Sequence, residues 1–179
     1  MTVAAVVLAA GEATRFGGPK QQLLLPEVLG RLRASVVDEI VVVEGAYPLE
    51  LPSGTVSQGA AARIVRCDQW TRGPGASLRC GVAALDTAVE AAVVVLADGP
   101  DLSPHAVDRV LEEWRRGEDL VAASYAGHRG HPLVLGRDGW SDIPDAGLHA
   151  RPVRLVACDD LGAPGDVDEP SDLPERLRS

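Results

Sequence analysis

The fold is decided at the start of the chain, where the apolar run VAAVVLAA (residues 3–10) leads into the loop GEATRFGGPK (residues 11–20). The run does not alternate apolar and polar side chains, which is typical of a strand buried on both faces of a parallel sheet. Weaker strand patterns, with more polar residues, indicate strands near the sheet edges. The further strands are predicted over residues 39–43, 91–97 and 120–123, and the weaker ones over residues 63–65 and 153–156.

Helical patterns separate these runs. Ser103 and Pro104 are suited to the N-cap and first position of a helix that ends near Gly117. Further helices are predicted over residues 75–87, over residues 26–35 and after Asp168, and the Pro-, Gly- and Ser-rich residues 45–59 are predicted to be irregular. Strands that alternate with helices indicate an α/β fold with an open, mostly parallel sheet, and we expect a single domain over residues 1–179.

Composition excludes several classes of function. The chain has 17 Lys plus Arg against 26 Asp plus Glu, so its net charge is −9. A general nucleic-acid binder or a protein that binds anionic membranes needs a basic surface, so neither is expected. The apolar start of the chain lacks a basic segment and is too short to span a bilayer, which favours a soluble, cytoplasmic protein.

The three cysteines have no paired spacing. An odd number at wide intervals argues against a disulfide scaffold and against a cysteine-rich zinc site. We therefore predict that Cys67, Cys80 and Cys158 are small buried thiols.

The loop at residues 11–20 is a candidate anion site. It lacks the Gly-Lys-Ser/Thr of a P-loop and the G-x-G-x-x-G of a dinucleotide site, and what remains is G-x-x-x-R-x-G-x-x-K. Arg15 and Lys20, together with free main-chain amides, can hold a triphosphate and neutralise a leaving pyrophosphate. The alternative is a solvated turn with two surface cations.

Polar residues follow other predicted strands as well. Asp98 comes directly after a buried strand, and Asp168 lies in a late acidic stretch; together they can bind Mg2+, or they can be a turn residue and a helix cap. Ser77 and Arg79, which open a helix, suit either an anion contact or a simple cap. His131 can titrate near neutrality or donate a hydrogen bond to an anionic acceptor, and its Arg-Gly-His-Pro segment can also be an ordinary turn.

The order of these motifs resembles the MobA-like nucleotidyltransferases, and most closely the molybdenum cofactor cytidylyltransferases. The resemblance runs from about Val3 to Leu173. It rests on five segments: the loop LAAG…RFG-PK, then SLRCG, LADGP, RGHP and DVDEPSDL, which begin at Leu8, Ser77, Leu96, Arg129 and Asp166.

This resemblance implies a Rossmann-like three-layer α/β/α fold and transfer of a nucleoside monophosphate from an NTP to a phosphorylated acceptor. It implies that Leu8, Ala9, Ala10 and Gly11 contact the nucleoside, with Ser77 and Arg79 close by. It assigns the triphosphate to Arg15 and Lys20, and Mg2+ to Asp98 and Asp168. It assigns the acceptor to Arg129, Gly130 and His131. Arg15, Lys20 and Asp98 would then be the catalytic residues.

The same resemblance suggests the substrates. Relatives that use guanine nucleotides tend to carry glycine at the position of Ala10, so alanine points to CTP. Molybdopterin is the implied acceptor, and a molybdoenzyme or its chaperone a possible protein partner. The family generally has methionine at Gly99 and arginine at His149, and a longer segment after Lys20. The shorter segment and the missing arginine motivate one alternative function, a non-catalytic nucleotide-binding relative. The other alternative is a guanylyltransferase sibling that acts on another phosphorylated acceptor.

Overall fold

The computed structural model describes residues 1–52 and 59–178, and these form an α/β fold around a seven-stranded sheet. The strands lie in the order β3-β2-β1-β4-β6-β5-β7. Their bounds are β1 Thr2–Ala9, β2 Glu39–Glu44, β3 Ala61–Arg66, β4 Val89–Leu96, β5 Leu120–Tyr125, β6 His128–Gly136 and β7 Arg154–Ala157. The helices are α1 Lys20–Arg33, α2 Pro74–Ala83 and α3 Pro104–Trp114.

The sheet is mostly parallel, as the sequence predicts. Among the four strands β3, β2, β1 and β4 every pairing is parallel, and β5 pairs with β7 in the same way. Only β6 runs antiparallel to its neighbours β4 and β5. The two weaker strand patterns became β3 and β7, and both are edge strands as predicted.

Two apolar clusters, one on each face of the sheet, make up the core. Alternate β1 residues divide between them: Val3, Ala5 and Val7 pack with α1 and α3, whereas Ala4 and Val6 pack with α2. A strand whose side chains are buried in both directions needs apolar residues at every position, which explains the unbroken run. Burial on both faces gives the three layers of an α/β/α sandwich.

Three sequence predictions on local structure were wrong. Helix α1 begins at Lys20 rather than Pro26, and Pro26 lies inside it. Its buried face, which includes Leu24, Leu25 and Leu29, offsets the cost of an internal proline, about 3 kcal/mol. After Asp168 the chain forms only short 3-10 turns, at Pro170–Asp172 and Glu175–Leu177.

The third correction concerns the Arg-Gly-His-Pro segment, which lies in strand β6 rather than in a loop. Strands β5 and β6 form a hairpin in which Tyr125 pairs with His128. The two residues between them, Ala126 and Gly127, have φ of 50° and 77°, so both adopt the left-handed conformation of a tight hairpin turn. An Ala-Gly dipeptide is not a strong signal for such a turn, so the hairpin was missed.

The prediction of three free thiols was also wrong for two of them. Cys67, just after β3, and Cys80, on α2, form a disulfide with a Cα–Cα distance of 5.7 Å. Their proximity arises from the packing of α2 across the sheet, which their spacing in sequence does not reveal. Cys158 is a buried free thiol, as predicted.

Two remaining features complete the fold. The stretch predicted to be irregular has no helix or strand at residues 45–52 or at residue 59, and its residues 53–58 lie outside the described part of the chain. Of the helices that the structure describes, none combines the length and the apolar character needed to cross a bilayer.

Candidate nucleotide-binding and catalytic site

A cavity of about 240 Å³ opens at the carboxyl ends of β1 and β4. These strands are parallel neighbours in which Leu8 pairs with Leu96, so the loops that follow them leave the sheet at the same edge. This edge is where α/β sheets bind ligands. The cavity is lined by Leu8, Gly11, Ala13, Thr14, Arg15, Lys20, Gln21, Leu96, Ala97, Asp98 and Asp168.

Lys20 is the only lysine in the chain, and its side chain is only 7% exposed. Its Nζ lies 3.1 Å from Asp98 Oδ2 and 3.5 Å from Asp168 Oδ1, and it also donates a hydrogen bond to the carbonyl oxygen of Val167. Burying an ammonium is costly unless charged partners compensate for the lost water. The amine therefore points into the cavity, between two carboxylates that are 70 residues apart in sequence.

Main-chain hydrogen bonds bring these two carboxylates together. The amide of Val167 donates to the carbonyl of Asp98 at 3.1 Å, and the amide of Asp101 donates to the carbonyl of Pro164 at 2.9 Å. The late acidic stretch is thereby held beside the turn that follows β4. Asp172, the last acid of the DVDEPSDL segment, accepts from the amides of Asp168 and Glu169 and fixes this turn.

Arg15 extends the charged cluster toward solvent. One of its terminal nitrogens lies 2.8 Å from Asp168 Oδ2, and its side chain is 68% exposed. Such an exposed pair contributes little to stability, so Arg15 can move to another anion at small cost. The cluster thus combines one buried and one mobile cation.

Asp166 is a member of this cluster that the sequence predictions left out. Burial, together with the nearby negative charges of Asp98 and Asp168, raises the pKa of Asp166. It lies two residues before Asp168, and that spacing was the available signal. Its proximity means that three carboxylates share the neighbourhood of Lys20.

The first turn of α1 is prepared for an anion. Pro19 at the N-cap makes no side-chain capping hydrogen bond, and the first turn contains no acidic residue. The positive end of the helix dipole is therefore not neutralised by its own sequence. In the preceding loop, Phe16 packs against Leu24 and Val167, which anchors the loop to the helix and to the acidic stretch.

The residues predicted to contact the nucleoside divide into two groups. Leu8 and Gly11 line the cavity, whereas Ala9 and Ala10 are buried and do not. The carbonyl of Ala10 accepts a hydrogen bond from the amide of Ala46 at 3.0 Å. A Cβ on Gly45 would lie 2.7 Å from that of Ala10, so glycine is required there for the two loops to approach.

Ser77 and Arg79 do not line this cavity. Ser77 is buried in the first turns of α2. The guanidinium of Arg79 forms an ion pair with Asp145 and donates to the carbonyl of Ile143 at 2.5 Å. In this structure Arg79 therefore holds the segment after β6 against α2.

The residues predicted to bind the acceptor line two neighbouring cavities of about 290 Å³ each. Arg129 and His131 line both, and Gly130 lines the second. Arg129 donates to the carbonyl of Leu148 at 3.0 Å, and burial lowers its pKa. His149 lines the first of these cavities and contacts the carbonyl of Ala146 at 3.0 Å through Nδ1.

The expectation that His131 titrates near neutrality was wrong. Burial, and secondarily the charge of Arg129, lower its pKa to about 4. A neutral imidazole at pH 7 can accept or donate one hydrogen bond but carries no charge for an anionic acceptor. The positive charge at these cavities comes from Arg129.

The family model of the MobA-like NTP transferase domain matches residues 5–160. The chain belongs to this family. Its membership of this family makes it a nucleotidyltransferase. A comparison with curated proteins found no match.

Several solved structures share the fold of this chain. Rv0371c from Mycobacterium tuberculosis H37Rv superimposes with a TM-score of 0.79 at 26% identity, over 100% of both chains. A manganese complex of Rv0371c superimposes with a TM-score of 0.74 at 25% identity, over 96% of both chains. A nucleotidyl transferase from Methanothermobacter, Mth528, has the same fold, with a TM-score of 0.73 at 23% identity over 96% of this chain and 94% of its own.

The side chains of this MobA-like transferase supply only some of the oxygen ligands that a hard divalent cation needs. The described residues contain no group of three or more His, Cys, Asp or Glu side chains arranged to bind a metal. Asp98 and Asp168 nevertheless direct carboxylate oxygens at one cation, the ammonium of Lys20. Mg2+ is commonly held by one or two carboxylates plus substrate phosphates, so two aspartates are sufficient once a nucleotide is present.

Proposed function

We propose that the chain is a Mg2+-dependent nucleotidyltransferase that transfers CMP from CTP to a phosphorylated acceptor such as molybdopterin and releases pyrophosphate. The observation that carries the proposal is the position of Lys20, whose buried amine points into the cavity between Asp98 and Asp168. A buried ammonium, an exposed arginine and two carboxylates around one cavity are what a metal-bound triphosphate requires.

Binding of the triphosphate rearranges the charges of the cluster. Phosphate oxygens replace carboxylate oxygens as partners of Lys20 and Arg15, and the positive end of the α1 dipole, with no acidic residue in its first turn, adds to the attraction. Arg15 is exposed and exchanges partners readily, whereas Lys20 is fixed by burial and by the Val167 carbonyl. Lys20 therefore provides a fixed positive charge, and Arg15 closes over the phosphates.

The chemistry is a direct displacement at phosphorus. An oxygen of the acceptor phosphate attacks the α-phosphorus, and the bond from the α-phosphorus to the oxygen that bridges to the β-phosphate breaks. The electron pair leaves with pyrophosphate, whose developing charge is stabilised by Lys20 and Arg15. No protein nucleophile is required, so these residues act by positioning and by neutralising charge.

Asp98 and Asp168 are the residues that would hold Mg2+. When bound, the cation supplies Lewis-acid stabilisation of charge on the phosphate oxygens. Asp166, whose pKa is raised by its neighbours, loses part of this repulsion when positive charge enters the cluster. The manganese complex of Rv0371c supports divalent-metal use by a relative of this fold.

The preference for CTP rests on the family resemblance at Ala10, where relatives that use guanine nucleotides tend to carry glycine. The Ala10 methyl packs against Gly45, and a Cβ on Gly45 would also lie 2.6 Å from the ring of Trp70. This end of β1 is therefore closely packed, and the methyl of Ala10 belongs to this packing rather than to the cavity wall.

The neighbouring cavities supply the acceptor site. The first is walled by apolar side chains, among them Leu78, Leu133 and Leu148, with Arg129 at its side. Apolar walls suit a flat ring system, and the guanidinium suits its phosphate. A pterin that carries a phosphate has both features.

Pyrophosphate release tests the proposal. We expect it to require an NTP, Mg2+ and acceptor together, with CTP the best NTP. Lys20→Met and Asp98→Asn should each lower kcat by about 100-fold or more, with the fold retained. Asp101→Asn is the matched control, since Asp101 follows the same strand but pairs with Arg176 outside the cavity.

Other outcomes separate the alternatives. GTP as the best nucleotide would indicate the guanylyltransferase sibling. NTP binding without turnover on any phosphorylated pterin would indicate the non-catalytic relative. Failure to bind any NTP with Mg2+ would refute both.

The single lysine allows a second test. An amine-specific reagent can modify only Lys20 and the N-terminal amine, which lies near Glu90. CTP with Mg2+ should protect Lys20 while labelling of the N-terminus continues unchanged. Equal labelling of Lys20 with and without nucleotide would contradict its assigned role.

A further inference from the structure

Gln21 has a buried hydrogen-bond acceptor that the protein leaves without a partner. The residue follows Lys20 in the first turn of α1, is 5% exposed and lines the same cavity. Its Nε2 donates to the carbonyl of Gly11 at 2.9 Å, which fixes the orientation of the amide. Its Oε1 is buried, and no donor among the described residues reaches it.

An unpaired buried carbonyl is unfavourable, and native structures rarely retain one without a reason. The bond to Gly11 prevents the amide from simply rotating, because exchanging its O and N would place two acceptors together. Because Gln21 lines the cavity, a small shift of its side chain would open Oε1 to a donor on a bound ligand, and that donor would satisfy it. Gln21 is therefore suited to select a ligand group that carries an O–H or N–H.

Only some groups of a nucleotide can donate a hydrogen bond to Oε1. Phosphate oxygens at neutral pH only accept hydrogen bonds, so the triphosphate held by Lys20 and Arg15 cannot satisfy Oε1. The donors of a nucleoside triphosphate are the ribose hydroxyls and the amino group of the base. Of these, the ribose lies next to the phosphates, and Gln21 lies next to Lys20 and Gly11 in the cavity wall.

We propose that Gln21 accepts a hydrogen bond from the 2′- or the 3′-hydroxyl of the ribose and thereby distinguishes an intact ribose from a sugar that lacks that hydroxyl. This inference rests on the proposed NTP-binding function of the cavity. Gln21 would be a specificity-determining residue, and its contribution would be made in nucleotide binding. The adjacent Gln22 is the matched control. Its side-chain amide lies outside the cavity, and both its nitrogen and its oxygen are hydrogen-bonded to the main chain of Glu50.

The test is a binding cycle without acceptor, so that no turnover occurs. Calorimetry with Mg2+ compares CTP, 2′-deoxy-CTP and 3′-deoxy-CTP on the wild type, Gln21→Met and Gln22→Met. On the wild type and on Gln22→Met, at least one deoxynucleotide should bind about 3- to 10-fold more weakly than CTP, the effect of one neutral hydrogen bond. On Gln21→Met this ratio should fall to about 1, and thermal unfolding checks that the variant is folded.

The outcomes are distinguishable. Equal affinity of the wild type for all three nucleotides would overturn the inference even if Gln21→Met does not fold, while leaving NTP binding intact. A ribose preference that Gln21→Met retains would overturn it as well. If Gln21 contacts a metal-bound water instead, Gln21→Met would raise the Mg2+ requirement equally for all nucleotides. No binding of any NTP would refute the proposed function itself.

Discussion

The pair formed by Lys20 and Asp98 predicts a measurable coupling in stability. At 3.1 Å and an effective dielectric constant of about 20, the gross attraction between the charges is about 5 kcal/mol. The cost of removing the ammonium from water offsets much of this, because the Lys20 side chain is only 7% exposed. We therefore expect a net coupling of about 2 kcal/mol between the two residues.

A double-mutant cycle measures this coupling by urea denaturation of Lys20→Met, Asp98→Asn and the double variant. Lys20→Met should lose about 3 kcal/mol of unfolding free energy, at the low end for a broken buried pair, because the carboxylates keep partial contact with solvent. The double variant should lose about 2 kcal/mol less than the sum of the single variants. Asp101→Asn combined with Lys20→Met is the control and should be additive.

Additivity of Lys20→Met and Asp98→Asn within about 0.5 kcal/mol would refute the reasoning. It would mean that the ammonium does not interact with Asp98 in solution, and that the site is not organised around Lys20. Stabilisation by Mg2+ gives a second test of the same interaction. Mg2+ alone should stabilise Lys20→Met more than the wild type, because the carboxylates have lost their competing cation.

Three further predictions concern stability. Because the pKa of His131 is about 4 when folded and 6.5 in the unfolded chain, its stabilising contribution is complete above pH 6.5 and is lost as the pH falls toward 4. The wild type should lose up to about 2 kcal/mol between pH 7 and pH 5 that His131→Gln does not lose, and parallel pH profiles would contradict this. Gly75→Ala should lower the free energy of unfolding by about 2 kcal/mol or more, because the added Cβ would lie 1.7 Å from the carbonyl oxygen of Pro144. Gly30→Ala is the control, because this helix position has no neighbour within 4 Å, and it should raise the free energy of unfolding by up to about 1 kcal/mol. Replacing Cys67 and Cys80 by alanine should lower the free energy of unfolding by about 3 kcal/mol, because the disulfide no longer limits the entropy of the unfolded chain. An unchanged urea midpoint would argue against the disulfide.

Much of the fold could be predicted from the sequence because its signal is local. The apolar run of β1 has no polar position, and this composition by itself implies coverage on both faces. The order of the motifs also indicated the family, and the family match over residues 5–160, which includes Arg15 and Asp98, confirms that family. The hairpin of β5 and β6 was missed because an unfavoured residue, Ala126, occupies a left-handed turn position.

What the sequence determined alone was the layered α/β architecture and the identity of the charged residues, since periodicity and motif order are written along the chain. Only the tertiary structure decided which groups meet: the burial of Lys20 between two aspartates, the Cys67–Cys80 bond and the unpaired oxygen of Gln21. Each of these depends on contacts between segments that are distant in sequence, or on the loss of solvent around a polar atom. Distances between side chains and the exclusion of solvent arise only when the chain packs. The chemistry of the cavity could therefore be derived only from the folded structure.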